Sequence, residues 1–401
     1  MLPSIAAPLF TLLFTLLLTL LLVQSTANAQ TGKPERSASY APLNNERYDN
    51  AGDFYQGLAA VKVNNQWGFI DTSGKMVIAP QFNPYQAQFN AYFSDGLVAI
   101  NFVSAKKSGI EGNDPVGTRW GFADQTGKVV IKPQFVGNYY YPPHFASGLA
   151  VISGNFIGTT IKTFGLNTKY GYIDKTGKFV IPQTFDEAYD FSDDLASVKV
   201  GSKYGFIDKT GRLVIAPAYD AAGFFQDGMA VVELNGLSYV IDKTNKKVFG
   251  QGFQNLSAYS EGLARFEEGG KVGFIDKTGH IKIKPTYQYS SAQSQRLMYF
   301  SEGLCPFEML REDAQGRVTR KFGYFNKDGK TVIDTRFDYA GPFKNGIAVV
   351  SVSGNYGYIN KSGTFVIQPI FANVGNVVDG IARVSGGAGF GDYKFRFIRL
   401  H

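Results

Sequence analysis

The chain has 401 residues, a formal net charge of +7, 46 glycines and 15% aromatic residues. Its single cysteine, Cys305, excludes an internal disulfide framework. The length allows two or three ordinary domains or one long repeat array. The basic balance either favours anionic partners or only keeps the surface soluble.

The first 29 residues have the features of a secretory signal peptide. Residues 9–23 are apolar apart from three threonines, and Ala27-Asn28-Ala29 is a small-x-small cleavage site ahead of Gln30. No Lys or Arg lies near the start and the apolar run is long, so an uncleaved membrane anchor is the alternative. We therefore expect export to the periplasm or the cell exterior, with residues 1–29 as signal peptide. The polar residues 30–46 are predicted to form a linker.

Residues 203–217 are predicted to fold as strand, tight turn, strand. Asp208 and Gly211 occupy the first and fourth positions of a type I turn, where Asp accepts a backbone hydrogen bond and Gly takes positive φ. Pro217 cannot donate to a ladder, so it is expected to end the second strand or to lie at an edge. Residues 195–200 alternate in polarity and add a strand before the pair. The unit is thus a three-stranded meander of strands A, B and C.

Copies of this unit recur along residues 47–401. The apolar residue that opens strand A is found at Leu58, Leu97, Leu149, Leu195, Met229, Leu263, Leu304, Ile347 and Ile381. A glycine in strand B, preceded in most copies by an aromatic residue, is found at Gly68, Gly121, Gly171, Gly205, Gly273, Gly323 and Gly357, with Tyr239 in its place in copy five. The recurrence predicts an all-β tandem array of about nine three-stranded meanders, either a curved solenoid (superhelix) or a closed toroid.

The copies resemble the WG repeat family (the KWG type), bacterial β-repeats named for a Trp-Gly pair. Trp67-Gly68-Phe69-Ile70-Asp71 and Trp120-Gly121-Phe122 match that motif, and Tyr or Phe replaces Trp elsewhere. The resemblance covers about residues 47–401. It implies an all-β repeat array that is commonly exported or surface-associated and usually has no defined activity.

Three copies carry insertions in one connection. From the strand-A residue to the strand-B glycine the interval is 10 residues in five copies, as from 195 to 205, but 24, 22 and 19 residues in copies two, three and seven. The insertions, about residues 101–118, 153–168 and 308–320, therefore share the A–B connection. In a repeat array such insertions project from one face, often the binding face; the alternative is that they only lengthen the A–B hairpin. The best ligand-binding candidates are Lys106, Lys107, Phe156, Lys162, Phe164, Arg311, Arg317 and Arg320.

No motif predicts catalysis, a metal or a cofactor. His144, His280 and His401 lie in unrelated contexts without metal-ligand spacing. The recurring turn carboxylate is replaced by Asn326 and Asn360 in copies seven and eight, which fits turn chemistry better than calcium coordination. We expect no metal site.

Two further features suit either a ligand or the fold alone. A lysine follows the turn Asp or Asn at positions 175, 209, 243, 277, 327 and 361, and in stacked repeats these ammonium groups line one edge, as an anion-binding ladder or as solvated turn residues. The cluster Tyr139–His144, with three tyrosines and two prolines, either stacks on sugars or peptides or fills the gap between copies two and three.

The ends of the array suggest closure. The last copy has strand A at 381–384 and strand B at 395–398, but the sequence then stops before a strand C. Residues 47–54 resemble residues 218–225, the segment that follows strand C in copy four, and residues 39–42 fit the missing strand C. Because a closed ring removes exposed strand edges, we expect the two ends to meet and complete one shared unit; ragged ends of an open superhelix are the alternative.

These observations favour a non-catalytic binding or scaffolding protein of the cell envelope with a protein or an anionic or polysaccharide partner. No nucleic-acid partner is expected, and a membrane is expected only if the N-terminal segment is uncleaved. The alternative is a glycan-acting enzyme on a propeller-like ring, which needs two carboxylates about 5–10 Å apart in one cleft. Glu308, Glu312 and Asp313 are the carboxylates that turn chemistry leaves for that role.

Overall fold

The computed structural model describes residues 40–82, 92–103, 118–135, 142–153, 169–312, 316, 318–387 and 393–400. These residues form nine small antiparallel sheets, the blades of a closed ring, as in a nine-bladed β-propeller. The predicted all-β array of nine units is confirmed, and of its two predicted forms the chain adopts the closed one. Each blade is numbered by the repeat copy that supplies its strand A.

Strands A and B are present in every blade and form its hairpin. The A strands are β3 (Leu58–Val63), β6 (Leu97–Val103), β10 (Leu149–Ser153), β14 (Ala196–Val200), β18 (Met229–Leu234), β20 (Leu263–Glu268), β23 (Leu304–Glu312), β27 (Ile347–Val352) and β31 (Ile381–Ser385). The B strands are β4 (Gln66–Asp71), β7 (Thr118–Asp124), β11 (Tyr170–Ile173), β15 (Lys203–Ile207), β19 (Leu237–Asp242), β21 (Lys271–Asp276), β24 (Val318–Asn326), β28 (Asn355–Asn360) and β32 (Phe395–Leu400).

Strand C and a short inner strand complete most blades. The C strands are β5 (Met76–Phe82), β8 (Val129–Phe135), β12 (Phe179–Phe185), β16 (Leu213–Tyr219), β22 (Ile281–Tyr287), β25 (Thr331–Phe337) and β29 (Phe365–Phe371). The short strands, which precede strand A and pair with it, are β2 (Asn50–Ala51), β9 (Phe145–Ala146), β13 (Glu187–Ala188), β17 (Ala221–Ala222), β26 (Tyr339–Ala340) and β30 (Asn373–Val374). The segment after strand C therefore crosses to the next blade and lies beside its strand A.

One short helix, α1 (Ala292–Leu297), is found between blades 6 and 7 in the described residues. It begins after Ser291, whose side chain accepts a hydrogen bond from the backbone of Ser294. No helix in the described ranges is long and apolar enough to cross a membrane. The predicted signal peptide lies outside those ranges.

The B–C turn is built as the sequence predicted. The Asp208 Oδ1 atom accepts hydrogen bonds from the backbone of Thr210 at 3.0 Å and of Arg212 at 3.1 Å, and from the Thr210 hydroxyl at 2.6 Å. Gly211 has φ +84°. The Asn360 side-chain oxygen accepts the equivalent backbone bonds at 3.1 and 3.0 Å. Asn therefore replaces Asp because the turn needs an acceptor oxygen rather than a charge.

The strand-B glycine is required by a bulge in strand C. Tyr204 pairs with Tyr219 and Phe206 pairs with Ile215, so two residues of β15 face four residues of β16. A Cβ atom on Gly205 would lie 2.4 Å from the Ile215 carbonyl oxygen. In blade 5 the position is Tyr239, and the described residues there form isolated bridges in place of a C strand.

The prolines do not end strand C. Pro217 lies inside β16 at the bulge, so it does not end the strand, but β16 is the edge strand of its sheet and the expected edge position is confirmed. Strand C is the most exposed strand of the blade, with an alternating burial pattern that leaves Leu213 and Val214 in solvent. A proline within this outer strand removes a donor from an otherwise open edge, which protects the edge from pairing with another chain.

The hydrophobic cores lie between blades. One cluster joins Tyr172 and Ile181 of blade 3 to Phe191, Val198 and Ile207 of blade 4. Nine such clusters occur in the described residues, one for each pair of neighbouring blades. A blade therefore buries its apolar faces only by packing on its two neighbours.

The ends of the chain close the ring, as the sequence predicted. The strand β1 (Tyr40–Pro42) pairs with β32 in the place of the missing strand C. The rings of Tyr48 and Phe397 lie 6.0 Å apart edge to face, and the Asp53 carboxylate accepts hydrogen bonds from Arg383 at 3.0 Å and from the Asn376 backbone at 3.1 Å. Since β1 lies within the range predicted as linker, the ring begins earlier than residue 47.

Removal of β1 is expected to destabilise the ring. In a chain without residues 1–29, deletion of residues 30–46 removes the pairing with β32 and the packing of Tyr40 on Phe371, whose rings are 5.8 Å apart. We expect a loss of about 2–4 kcal/mol from these partly buried side chains, measured by urea unfolding. Deletion of residues 30–38 alone is the matched control and leaves the midpoint unchanged. Equal midpoints for both deletions would contradict closure by β1.

The B–C turn makes a paired prediction. Asp208→Asn keeps the acceptor oxygen and is expected to cost less than about 1 kcal/mol at pH 7, whereas Gly211→Val adds left-handed strain of about 1–3 kcal/mol and a Cβ atom 3.1 Å from Ile181. Equal, large losses in both variants, restored by calcium, would show a metal site instead.

Asp208→Asn is also expected to change how the free energy of unfolding depends on pH. Hydrogen bonds from Thr210 and Arg212 lower the pKa of Asp208 to about 2. Its contribution to stability is therefore present above the unfolded-state value of about 3.9 and is lost as pH falls toward 2. Urea unfolding of Asp208→Asn between pH 2 and 7 is expected to show a shallower acid loss than the parent.

Candidate functional site

The antiparallel order of the strands gives the ring two different faces. We call the two residues before the strand-A residue of each copy the entry turn. The entry turns and the B–C turns lie at the same end of every blade, and this end is called the turn face. The A–B connections lie at the opposite end, the insertion face. The strand ends that flank the three insertions therefore lie on one face, because each insertion joins the end of a strand A to the start of a strand B.

The entry turns lie close to the axis of the ring. Asp193 takes the left-handed conformation, with φ +53°. Its carboxylate accepts a hydrogen bond from the backbone of Gly228 in the entry turn of blade 5 at 2.6 Å, and Ser192 donates to the Phe225 carbonyl at 2.7 Å. Equivalent positions on neighbouring blades can touch only near the axis, so these bonds form an inner ring.

The lysine row lies on the turn face, where carboxylates pair with five of its six members and Lys175 donates to a backbone carbonyl. The Lys277 ammonium lies 2.9 Å from Asp227 in the preceding blade. The same relation joins Lys327 to Glu261 at 3.1 Å and Lys361 to Glu302 at 3.1 Å, and Lys243 to Asp193 at 4.0 Å. Each partly exposed pair is worth less than about 1 kcal/mol, yet together they cancel the positive field that an anionic polymer requires.

Most of the predicted contact residues lie outside the described residues. This holds for Lys106, Lys107, Phe156, Lys162, Phe164 and Arg317, and for the side chain of Arg311. In blade 7, β23 and β24 pair without interruption from Leu304↔Asn326 to Glu312↔Val318. Here the insertion mostly lengthens the A–B hairpin, which was the alternative predicted from the sequence.

Among the predicted contact residues, Arg320 has a described side chain, and that side chain contacts Ser290 and Glu308 within the same protein. Its Nη1 donates to the Ser290 hydroxyl at 3.1 Å and its Nε lies 3.9 Å from Glu308. Glu308 also accepts hydrogen bonds from the Ser290 backbone and from the Ser294 hydroxyl. This buried carboxylate thus fixes the start of α1 to β23.

The carboxylates that were candidates for a glycan-acting enzyme are not seen as a pair. Both Glu308 oxygens accept hydrogen bonds within the protein, Glu312 is exposed, and Asp313 lies outside the described residues. Within the described ranges no group of three or more His, Cys, Asp or Glu side chains has the geometry of a metal site.

A continuous row of side chains at the inner edge joins blades 1 to 4. We call it the inner arc: Tyr55, Tyr92, His144 and Asp190. The rings of Tyr55 and Tyr92 are 5.2 Å apart, and those of Tyr92 and His144 are 5.7 Å apart. The His144 Nε2 atom lies 2.7 Å from the Asp190 carboxylate. Tyr92, His144 and Asp190 hold equivalent positions in successive blades, and equivalent positions can touch only near the axis, so the arc lies there.

The arc is exposed and electrostatically coupled. The side chains of His144 and Asp190 are 35% and 42% exposed, and Tyr55 is 48% exposed. The hydrogen bond to Asp190 raises the pKa of His144 against the opposing effect of burial. Burial raises the pKa of Tyr92, and the nearby Asp190 charge raises it further.

Sequence reasoning missed the arc because its members come from different copies and differ in residue type. His144 was read only as an isolated histidine and as the end of the Tyr139–His144 cluster, whose tyrosines lie outside the described residues. The arc could have been found by comparing one repeat position across the copies, because three arc members are the fifth residue before their strand-A residue. In copies one to nine that position is occupied by Asp53, Tyr92, His144, Asp190, Phe224, Ala258, Tyr299, Pro342 and Asn376.

The pairing of His144 and Asp190 predicts a measurable pKa. Because the raised pKa belongs to the folded state, the pair contributes its full stability below the unfolded-state value of about 6.5. That contribution is lost as pH rises through the folded-state pKa. Asp190→Asn is expected to lower the pKa of His144, measured by NMR titration of the imidazole and assigned with His144→Gln. An unchanged pKa in Asp190→Asn would contradict the pairing.

The overlaps with solved structures are low. Kluyveromyces lactis Hsv2 is 9% identical, covers 59% of this chain and 86% of its own, and gives a TM-score of 0.31. The Neurospora crassa Pan2 WD40 domain is 13% identical, covers 64% and 88%, and gives a TM-score of 0.30. A prolyl endopeptidase is 10% identical, covers 68% of this chain but 45% of its own, and gives 0.36. These scores are too low to support an inference.

A family model matches the chain over most of the ring. No curated protein matches the sequence. The model described as "WG containing repeat" matches residues 47–67, 67–83, 120–137, 170–204, 204–237, 240–271, 273–309, 322–356 and 356–385. These segments cover more than half of the chain, and several run from strand B of one blade to strand B of the next, so the chain belongs to the WG containing repeat family.

Proposed function

We propose that this propeller is an exported, non-catalytic binding module of the cell envelope that takes a protein or glycan partner on its insertion face. One observation supports it: the two faces differ. On the turn face, short turns and ion pairs such as Lys277–Asp227 link neighbouring blades. On the other face, three A–B connections depart from the repeat spacing.

Contacts between blades explain why the spacing is constant on the turn face and variable on the insertion face. The turn face carries the contacts that hold neighbouring blades together near the axis, so an insertion there would break several interblade hydrogen bonds. The A–B connections also carry interblade hydrogen bonds, since Asp186 binds both Lys169 of blade 3 and the Gly201 backbone of blade 4. They tolerate insertions because a longer hairpin extends beyond those contacts, as β23 and β24 show in blade 7. Loops placed by a rigid scaffold are where binding residues concentrate.

The predicted contact residues suit an anionic or polar partner. Six of the eight are Lys or Arg and two are Phe, and the positive charge of the turn face is cancelled by its carboxylates. A glycan-acting enzyme is the second candidate function, and it requires a second carboxylate beside Glu308 or Glu312.

The test shortens each insertion to the copy-four length. We expect the triple variant to lose the partners that the parent pulls down from an envelope extract, with an unchanged melting temperature. The matched control, Lys277→Ala with Asp227→Ala, alters the opposite face and keeps those partners. Unchanged partners in all shortened variants would contradict recognition through the insertions.

Export is tested separately by N-terminal sequencing of the protein from its native cells. We expect the mature chain to begin at Gln30, directly after the small-x-small site at residues 27–29. A chain that still begins at Met1 in the membrane fraction would contradict cleavage and indicate the uncleaved anchor.

A further inference from the structure

The geometry points to the inner arc of Tyr55, Tyr92, His144 and Asp190 as a binding site for a neutral oligosaccharide, distinct from the insertion face. The arc lies beside the entry turns, at the opposite end of the blades from the A–B connections. It therefore does not depend on the ligand proposed for that face.

The proposal is supported first by the exposure and packing of the aromatic rings. Tyr55 is 48% exposed and leans edge-on against Tyr92, whose ring in turn touches His144. Rings in the interblade cores, such as Phe54 and Phe93, are instead buried to 4% and 1% exposure. The arc rings are thus held by their neighbours while keeping surface in solvent, which is the arrangement that stacks on the C–H face of a sugar.

The second support is an acceptor placed beside those rings. The Asp190 Oδ2 atom binds His144, while its Oδ1 atom accepts no hydrogen bond from the described residues. A carboxylate oxygen with an open lone pair, next to an imidazole, receives hydrogen bonds from adjacent sugar hydroxyls with charge-assisted strength. The sugar hydroxyls also fit the phenol groups of Tyr55 and Tyr92, which donate and accept.

The charges of the arc favour a neutral sugar over a polyanionic ligand. The His144 Nε2 atom lies 2.7 Å from the Asp190 carboxylate, and this contact raises the pKa of His144, so the charged imidazole is favoured opposite that carboxylate. Lys175, in the B–C turn of blade 3, donates to the Asp95 carbonyl in the entry turn of blade 2 at 2.7 Å. None of the four described residues of the arc is Lys or Arg, so the arc itself does not offer the row of free cations that a polyanion needs.

The site extends toward blade 5. Phe224 takes the same position in its blade as Asp190 in blade 4, and it is 50% exposed. Across the ring, Tyr299 of blade 7 repeats the position and is 37% exposed, whereas blades 6 and 8 have Ala258 and Pro342. Rings that can stack on a sugar are therefore present in four of five consecutive blades, with the Asp190 carboxylate in the remaining one, which favours several sugar units over one.

The experiment uses the protein without residues 1–29 and a panel of neutral hexasaccharides of glucose, N-acetylglucosamine and mannose with different linkages. Titration is followed by calorimetry and by the imidazole NMR signals of His144, assigned with His144→Gln. We expect at least one sugar to bind and to shift the His144 signals. Tyr92→Ala and Asp190→Asn are each expected to weaken binding by at least about tenfold.

Controls separate this site from the insertion face and from loss of folding. Tyr393→Ala removes an exposed tyrosine outside the arc, 84% exposed, and leaves affinity unchanged, as does the variant with three shortened insertions. Tyr92→Phe keeps the ring and retains most of the affinity, with a melting temperature equal to the parent. A panel without a binder overturns the proposal. So does a sugar whose affinity falls only when the insertions are shortened.

Discussion

The structure depends on where its apolar surface is buried. A single blade has two faces and no core of its own, so the residues of one blade become buried only between two others. Phe54 and Ile70 of blade 1 pack with Ile381 and Phe397 of blade 9 just as Tyr172 of blade 3 packs with Val198 of blade 4. An open array would leave two such faces in water, at about 25 cal/mol per Å² of apolar surface. Closure follows from that cost.

Closure also explains the chemistry near the axis. Because equivalent positions on neighbouring blades converge there, an entry-turn carboxylate meets both the entry turn and the B–C turn lysine of the next blade. Asp193 takes part in both kinds of contact, with Gly228 and with Lys243. The same convergence brings Tyr92, His144 and Asp190 into one arc although about 50 residues separate each from the next.

Local chemistry made much of the fold predictable. The turn at Asp208–Gly211, the strand-A residues and even the meeting of the two ends follow from turn propensity, alternation and the missing C strand, all of which a repeat displays several times over. The bulge at Pro217 was not predictable in the same way, since it depends on the contact of Gly205 with the Ile215 carbonyl across two strands. The site was harder still. The insertions were visible as spacing, whereas the arc depends on which blades are neighbours near an axis that no single copy reveals.

The central claim, that β1 closes the ring against β32, is tested most directly by a cross-link between the ends. Ala41 and Arg399 are directly opposed in the antiparallel pair, and opposed residues have Cα atoms about 4.5–5.5 Å apart, within the range of a disulfide. The variant Ala41→Cys with Arg399→Cys is oxidised mildly and examined on a non-reducing gel; the native Cys305 is buried. Closure predicts a nearly complete shift to a faster-migrating circular species that is lost on reduction, while each single variant shows none. A double variant that stays linear, or that links only between molecules, would contradict it.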